Sequence, residues 1–260
     1  MSLTNTQKER YARQLMLPDV GPEGQEKLLR ARVLLIGGGG LGSPAALYLA
    51  AAGVTIGIAD ADEVSLSNLQ RQILHGTPDL GRPKVESAKE AIENLNPDVA
   101  VHAYQLYATE DNIAELIEGY DFVLDCTDHF AAKFLINDAC VRAGKPFSHA
   151  GIDSLQGQLM TYVPGINAPC YRCIFPEPPI ETSKGPIGVV GAVAGVIGAL
   201  QAMEAIKYIA GMGGLLTGRL LCFDAKAMEF HQVRLPRREG CVCGSAASQS
   251  SKGSVAPKAL

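Results

Sequence analysis

The sequence predicts an α/β fold: a mostly parallel sheet flanked by helices, with antiparallel strands at the C-terminal end. Three observations predict it. Short runs of branched apolar residues at 33–36, 54–59, 99–104 and 122–125 alternate with helical stretches. The first run leads into Gly37-Gly38-Gly39-Gly40-Leu41-Gly42, a glycine-rich loop that opens a helix. After Gly151 the alternation stops, and residues 219–223 and 228–233 read as an antiparallel pair.

The elements follow in order. Residues 7–15 read as a helix with Tyr11 and Leu15 on one side and Arg10 and Arg13 on the other, ended by Pro18. Residues 22–29 read as a second short helix, and 33–36 as a buried parallel strand. Residues 41–52 form a helix rich in small residues that Gly53 caps, and strand 54–59 ends at Asp60. The helix over 83–95 carries proline at its first turn. Strand 99–104, helix 111–118, strand 122–125 and helix 130–143 continue the alternation, and 146–149 begins another strand. This order gives right-handed crossovers and a Rossmann-like sheet. Residues 155–163 read as an extended strand, 164–186 as a proline-rich irregular connection, and a glycine-rich helix then runs to Ala210. No linker divides the chain, so residues 1–243 are expected to be one domain with an N-terminal helical arm. Residues 244–260 lack apolar periodicity and are expected to be a disordered tail.

Composition excludes several classes. A net charge of −4 and the lack of any Lys or Arg block leave no basic face for nucleic acid. The longest apolar stretch, 187–200, has 14 residues and is followed by Gln201, Glu204 and Lys207, too short for a membrane span. The polar N-terminus reads as no secretory signal, so a cytoplasmic location is expected. Seven cysteines in such a chain point to metal binding or catalysis rather than disulfides. Cys170 and Cys173 form a C-x-x-C, and Cys241 and Cys243 a C-x-C; four thiolates from two such knuckles suit tetrahedral Zn2+. Cys126, Cys140 and Cys222 lie in apolar contexts and read as packing residues.

Gly37, Gly39 and Gly42 carry the G-x-G-x-x-G spacing between strand and helix, where backbone N–H groups and a helix N-terminus favour phosphate. Asp60 lies 18 residues beyond Gly42 at the end of the next strand, where a carboxylate accepts hydrogen bonds from ribose. Loop and acid alone suit a nicotinamide-dependent oxidoreductase equally well. Asn68 and Arg71 follow in a polar loop, and Lys84 stands at a helix start, where the dipole disfavours a cation unless an anionic ligand offsets it. Asp125-Cys126-Thr127-Asp128 ends the fourth strand at the carboxyl edge, where such sheets bind ligands. Singly, each has a bland reading as a solvated charge or a helix cap. Together they point to a nucleotide whose phosphates react.

These residues belong to a longer set: Arg10-Tyr11-Ala12-Arg13-Gln14, the glycine loop, Asp60-Ala61-Asp62, Ser67-Asn68-Leu69-Gln70-Arg71-Gln72, Gly81-Arg82-Pro83-Lys84, Asp125-Cys126-Thr127-Asp128 and Pro169-Cys170-Tyr171-Arg172-Cys173. Through them, from Gln7 to Gly244, the chain resembles the MoeB, ThiF and HesA adenylyltransferases of small ubiquitin-like sulfur carriers, bacterial relatives of ubiquitin-activating enzymes. The resemblance implies ATP-dependent adenylation of a carrier's C-terminal Gly-Gly carboxylate, giving an acyl-adenylate and pyrophosphate, in thiamine or molybdenum-cofactor biosynthesis. It implies that Gly37, Gly39 and Gly42 approach the nucleotide, that Asp60 holds the ribose, and that Asn68, Arg71 and Lys84 contact the phosphates. It implies that Asp128 positions Mg2+ and that, in a homodimer, Arg13 reaches the partner subunit's ATP site. The carrier carboxylate, with a pKa of about 3.5, is already ionised at neutral pH; it needs cations on the phosphates rather than a general base.

The sequence departs from the family pattern in three places. The second cysteine pair is C-x-C where the family usually has C-x-x-C. Some relatives carry a cysteine just before the glycine-rich helix; here the alignment puts Lys184 there, and no cysteine lies between Cys173 and Cys222, so no covalent thiol step is expected at that position. His129 follows Asp128 where the family often has Asn. An inactive binding scaffold is the remaining alternative, and the presence of Arg13, Arg71, Lys84 and Asp128 weighs against it.

Overall fold

The structure, a computed structural model, describes residues 3–178 and 188–244. The chain opens with helices α1 (Asn5–Arg10), α2 (Ala12–Leu15) and α3 (Gly21–Arg30). Strand and helix then alternate through β1 (Arg32–Ile36), α4 (Gly42–Ala51), β2 (Thr55–Ala59), α5 (Lys84–Leu95), β3 (Val101–Tyr104), α6 (Ile113–Glu118), β4 (Phe122–Asp125), α7 (Phe130–Ala143) and β5 (Phe147–Asp153). After these come β6 (Gln156–Tyr162), the one-turn α8 (Tyr171–Ile174), the long α9 (Gly191–Ala210), β7 (Arg219–Asp224) and β8 (Glu229–Arg234).

One eight-stranded sheet runs in the order β3-β2-β1-β4-β5-β6-β7-β8. Pairing is parallel from β3 to β5 and antiparallel from β5 to β8; the parallel half and the β7–β8 pair are as expected from the sequence, and the antiparallel run extends further, to β5 and β6. The central strands are apolar throughout because both faces are covered. Val33 and Leu35 pack into the layer of α4, α5 and α9, while Leu34 and Ile36 pack into the layer of α6 and α7.

The expected helix over 7–15 is broken at Tyr11, whose backbone (φ −97°, ψ 13°) leaves the helix between α1 and α2. The cause is tertiary. Tyr11 is buried, its hydroxyl accepts from Asn96 Nδ2 at 3.0 Å, and a Cβ on Gly53 would lie 2.7 Å from that hydroxyl. Arg10 donates to the Leu95 carbonyl at 3.1 Å, and Gln14 is tied through Gln25 to the Ala52 carbonyl, so the arm is docked on the sheet domain.

The expected irregular connection contains α8 within its described part. The helix after it has 20 residues and is, by length and composition, apolar enough to cross a membrane, so the sequence argument from a short apolar stretch is corrected. What distinguishes α9 is its packing on α4, α3, β5 and β6. Its buried Glu204 accepts from Thr161 Oγ1 and from the Leu216 N–H, both at 2.7 Å, and its buried Gln201 donates to the Asp125 carbonyl at 3.0 Å. Lys184 and the expected tail beyond Gly244 lie outside the described residues.

Candidate nucleotide site and cysteine cluster

β1 lies between β2 and β4, so three strand ends meet where the order of connection reverses. β1 delivers the glycine loop. Gly37 has φ +102°, and a Cβ there would lie 2.7 Å from the Cys126 carbonyl oxygen, so both conformation and space require glycine. A Cβ on Gly42 would run into the Gly37 carbonyl oxygen. Gly39 differs: a Cβ there would meet nothing closer than Gln72 Nε2 at 3.5 Å. The chain's own packing therefore does not demand glycine at 39, and the position offers bare backbone to a ligand.

β2 delivers Asp60, which is buried. Its Oδ2 accepts from the Gly38 N–H at 2.8 Å and its Oδ1 from the Asp62 N–H at 2.9 Å. His75 grips the same loop from another side. Because a carbonyl only accepts, its Nε2–H donates to Gly38 O at 3.3 Å, leaving Nδ1 to accept from the Ser87 hydroxyl at 2.8 Å. Burial lowers its pKa and keeps this ring neutral.

Lys84 opens α5 and is 5% exposed. Its Nζ donates to Asp62 Oδ2 at 2.7 Å and lies 3.9 Å from Asp60 Oδ2. The expectation that an anionic ligand must offset the helix dipole here is corrected, because two carboxylates of the chain already do so. Asp62 also accepts from the Tyr107 hydroxyl at 2.6 Å. Lys84 first, and Tyr107 next, hold the Asp62 carboxyl below the usual range, and the same bond raises the pKa of Tyr107.

Arg71 lays its stem across the loop, where a Cβ on Gly40 would meet Arg71 Cγ at 3.5 Å, and its guanidinium donates to the Ser67 carbonyl at 3.0 Å. Asn68 shapes this segment instead of joining the cluster. Its Oδ1 accepts from the Ser65 N–H at 3.3 Å, and its carbonyl accepts from the N–H groups of Arg71 and Gln72. Asp128 lies beyond β4 with its side chain 93% exposed, 3.5 Å from His129. Arg13 is exposed on α2, and among the described residues it has no hydrogen bond or ion pair to any of these groups. The structure thus joins Gly38, Asp60, Asp62 and Lys84, sets Arg71 over the loop, and leaves Asp128 and Arg13 in solvent.

Sequence reasoning assigns no role to Asp62, His75, Tyr107 or Lys133. The Asp60-Ala61-Asp62 spacing signals Asp62, since alternate residues of an extended segment share a face. Lys133 is signalled as a lone cation beside Phe134 and Leu135. His75 and Tyr107 carry no local signal, because their contacts span 37 and 45 residues of chain.

In the layer of α6 and α7, Cys170, Cys173, Cys241 and Cys243 bring their Sγ atoms within 4.8 Å of one another. Cys170–Cys241 and Cys173–Cys243 are each 3.6 Å apart. A tetrahedron with zinc–sulfur bonds of ~2.3 Å has edges of roughly 3.8 Å, so the spacing fits a metal ion despite the shortened C-x-C pair. Burial first, and the adjacent thiols next, push the Cys170 thiol far above its ordinary pKa, which is the repulsion a cation would relieve. The knuckle is tied to α7. The Tyr171 N–H donates to Asn137 Oδ1 at 2.9 Å, and Arg172 makes a two-point contact with Asp138 at 2.6 and 2.8 Å. Cys126 and Cys140 are buried with thiol pKa values raised by burial, as packing residues are, and Cys222 is half-buried.

These features define an α/β nucleotide-binding domain with a charged site at one sheet edge and a four-thiol cluster on one face. Residues 11–243 match the ThiF family, and the chain belongs to it. It is 49% identical over 244 residues to the adenylyltransferase and sulfurtransferase MOCS3 of Drosophila sechellia, covering 92% of this chain and 54% of that protein. The chain spans about half the length of the MOCS3 relatives it matches. It is 42% identical over 258 residues to the sulfur carrier protein adenylyltransferase of Thermus thermophilus, covering 96% of this chain and 95% of that protein. Among solved structures, E. coli MccB with MccA-N7isoASN superposes with a TM-score of 0.83 at 27% identity, over 93% of this chain and 76% of that chain. The ATP complex of the same protein superposes with a TM-score of 0.75 at 27% identity, over 84% and 68%.

Proposed function

We propose that this chain adenylates the C-terminal carboxylate of a small ubiquitin-like sulfur carrier ending in Gly-Gly, consuming ATP and releasing pyrophosphate. The observation that carries this reading is the convergence of the glycine loop, Asp60, Lys84 and Arg71 at one sheet edge, in a chain of the ThiF family. Residues 1–243 act as one adenylation domain, in the cytoplasm, serving thiamine or molybdenum-cofactor biosynthesis. Gly37, Gly39 and Gly42 form the turn that nucleotide approaches, and Asp60 holds the ribose. Lys84 and Arg71 bind phosphate, with Asn68 holding the loop that carries Arg71.

Charge explains why further cations are needed. Asp60 and Asp62 against Lys84 leave the inner site one negative charge in excess, which repels a triphosphate. Arg71 offsets it, and so would a metal. Asp128 is an exposed carboxylate beyond β4, the hard oxygen donor that Mg2+ takes together with phosphate oxygens. Mg2+ held there would supply charge neutralisation of the phosphates and of the departing pyrophosphate. With the phosphates neutralised, the ionised carrier carboxylate attacks the α-phosphorus, the bond to pyrophosphate breaks, and an acyl-adenylate remains. Hydride transfer to a nicotinamide has no use for Lys84 or Arg71, which disfavours the oxidoreductase reading.

A homodimer completes the site. Arg13 adjoins Gln14, which lines an apolar groove of about 540 Å3 with Tyr48, Leu200, Met203, Ile206 and Phe230. A second copy of the chain covering that groove would carry Arg13 toward a neighbouring ATP site. Cys170, Cys173, Cys241 and Cys243 hold a structural Zn2+.

Carrier-dependent exchange of pyrophosphate into ATP tests the reading. Arg71→Ala and Lys84→Ala lower exchange by at least about a hundredfold while the circular dichroism spectrum persists. In the same assay an equimolar mixture of Arg13→Ala and Arg71→Ala chains regains roughly a quarter of wild-type exchange, since only mixed dimers contain a site with both cations. Wild-type exchange in both single-cation variants removes the phosphate roles, and a mixture no better than its components removes the shared site.

A further inference from the structure

The end of β4 is held from inside by a charge cluster that the proposed chemistry does not consume. Asp125, Lys133 and His149 are 1%, 6% and 1% exposed. Asp125 Oδ2 accepts from His149 Nδ1–H at 2.8 Å, and its Oδ1 accepts from the Thr127 hydroxyl at 2.7 Å. Lys133 Nζ donates to the Thr127 carbonyl at 2.6 Å and to the Ala150 carbonyl on β5 at 2.7 Å, and lies 3.4 Å from Asp125 Oδ2. The ammonium's three donors are thus spread over a carboxylate, a neighbouring strand and one loop carbonyl.

That loop carbonyl matters most. Thr127 O belongs to the peptide bond whose nitrogen is that of Asp128. Asp128 points its side chain into solvent, 93% exposed and 3.5 Å from His129. Where its carboxylate can reach depends on its backbone, which is tied just upstream by Lys133 on the Thr127 carbonyl and by Asp125 on the Thr127 N–H. Stability alone is a weak reason for such a cluster, because well-packed apolar residues commonly hold a core as well as a buried ion pair does.

We infer that Lys133 is a positioning residue for the adenylation reaction: it fixes the Thr127–Asp128 peptide and so holds the Asp128 carboxylate where metal-bound ATP meets it. This rests on the metal-holding role given to Asp128 above. The inference separates two kinds of damage. A structural lysine, when lost, lowers the folded fraction; a positioning lysine, when lost, lowers what magnesium adds to nucleotide binding.

Calorimetric titration of the intact protein with a non-hydrolysable ATP analogue, with and without Mg2+, distinguishes them, with thermal unfolding run in parallel. In Lys133→Met, which keeps the length of the side chain and removes its donors, the magnesium-dependent gain in affinity falls by about tenfold, and the metal-free affinity stays within about twofold of wild type. Lys133→Arg, which keeps charge and donors, regains most of the gain. A Lys133→Met protein with the wild-type magnesium gain overturns the inference, however far its unfolding temperature drops. If Lys133→Met does not fold, Lys133→Gln carries the same test: a reduced gain supports the inference and an unchanged gain overturns it. Asp128→Asn is the control. An unchanged gain in Asp128→Asn overturns the metal role of Asp128 and this inference with it, whereas a lost gain there beside an unchanged one in Lys133→Met overturns this inference alone.

Discussion

Asp125 is a carboxylate sealed from solvent that stays charged. Burial alone would raise its pKa; the Lys133 ammonium, the hydrogen bond from His149 and the Thr127 hydroxyl outweigh it and hold the carboxyl at about 2. His149 moves the opposite way for a histidine beside an acid: burial, then Lys133, lower its pKa and leave the ring neutral. A carboxyl depressed on folding stabilises the protein above its unfolded pKa, and that contribution is lost as pH falls from about 4 to about 2. A histidine kept neutral loses stability once the unfolded chain takes up its proton, below about 6.5. Both slopes run the same way, so unfolding free energy declines from about pH 6.5 toward acid and falls faster below about pH 4, Asp125 contributing on the order of 2 kcal/mol. Asp125→Asn strands the Lys133 charge, destabilises the protein near pH 7 by about 3–5 kcal/mol, and flattens the limb below about pH 4. Urea unfolding near pH 7, 5 and 3 checks this, and an acid limb equally steep in the variant contradicts it. At this scale the sequence was a partial guide. Asp60 and Lys84 stand at the expected strand and helix ends and Arg71 in the expected polar loop, which the local pattern marks. The pairing of Lys84 with Asp62, and of Asp62 with Tyr107, had no such mark, because these contacts close over 22 and 45 residues.

Elements were legible wherever one period ruled. The central strands are continuous apolar runs because helices cover both faces, and the glycine loop must turn at Gly37. The break at Tyr11 was not legible, since helical propensity favours continuing and only the distant Gly53 and Asn96 give the ring a place to go. The end of α9 at Ala210 was legible, but the burial of its Gln201 and Glu204 was not, because their partners on β4 and β6 lie 76 and 43 residues away in the chain. The cysteine knuckles join two segments about 70 residues apart onto α7, so they act as a clasp between elements. Removing a metal held there would therefore act on the α7 layer. Protein purified without chelator contains about one zinc per chain, and strong chelation lowers its unfolding midpoint by the equivalent of several kcal/mol without touching the sheet edge directly. Elemental analysis and calorimetric melting test this; far less than one zinc per chain, or a melt indifferent to chelator, counts against the clasp.

Across the whole molecule, function comes from chain segments that meet only in the fold. The net charge of −4 gives no long-range attraction for ATP, so the cations at the β1–β2 edge act at close quarters. The apolar groove beside α4 and α9 lies apart from that edge in character, polar groups being concentrated at the one and side chains such as Tyr48 and Met203 exposed at the other. One face carries the proposed chemistry and the other is the face proposed to meet a second copy of the chain. The most direct test is to incubate the protein with ATP, Mg2+ and a Gly-Gly-ended ubiquitin-like carrier and to read the carrier's intact mass without added sulfur donor. The account predicts that the carrier gains the mass of one adenylyl group, only with ATP present and only when its terminal glycine carboxylate is intact. A carrier of unchanged mass across every Gly-Gly-ended candidate, with protein that is folded and binds ATP, would contradict it.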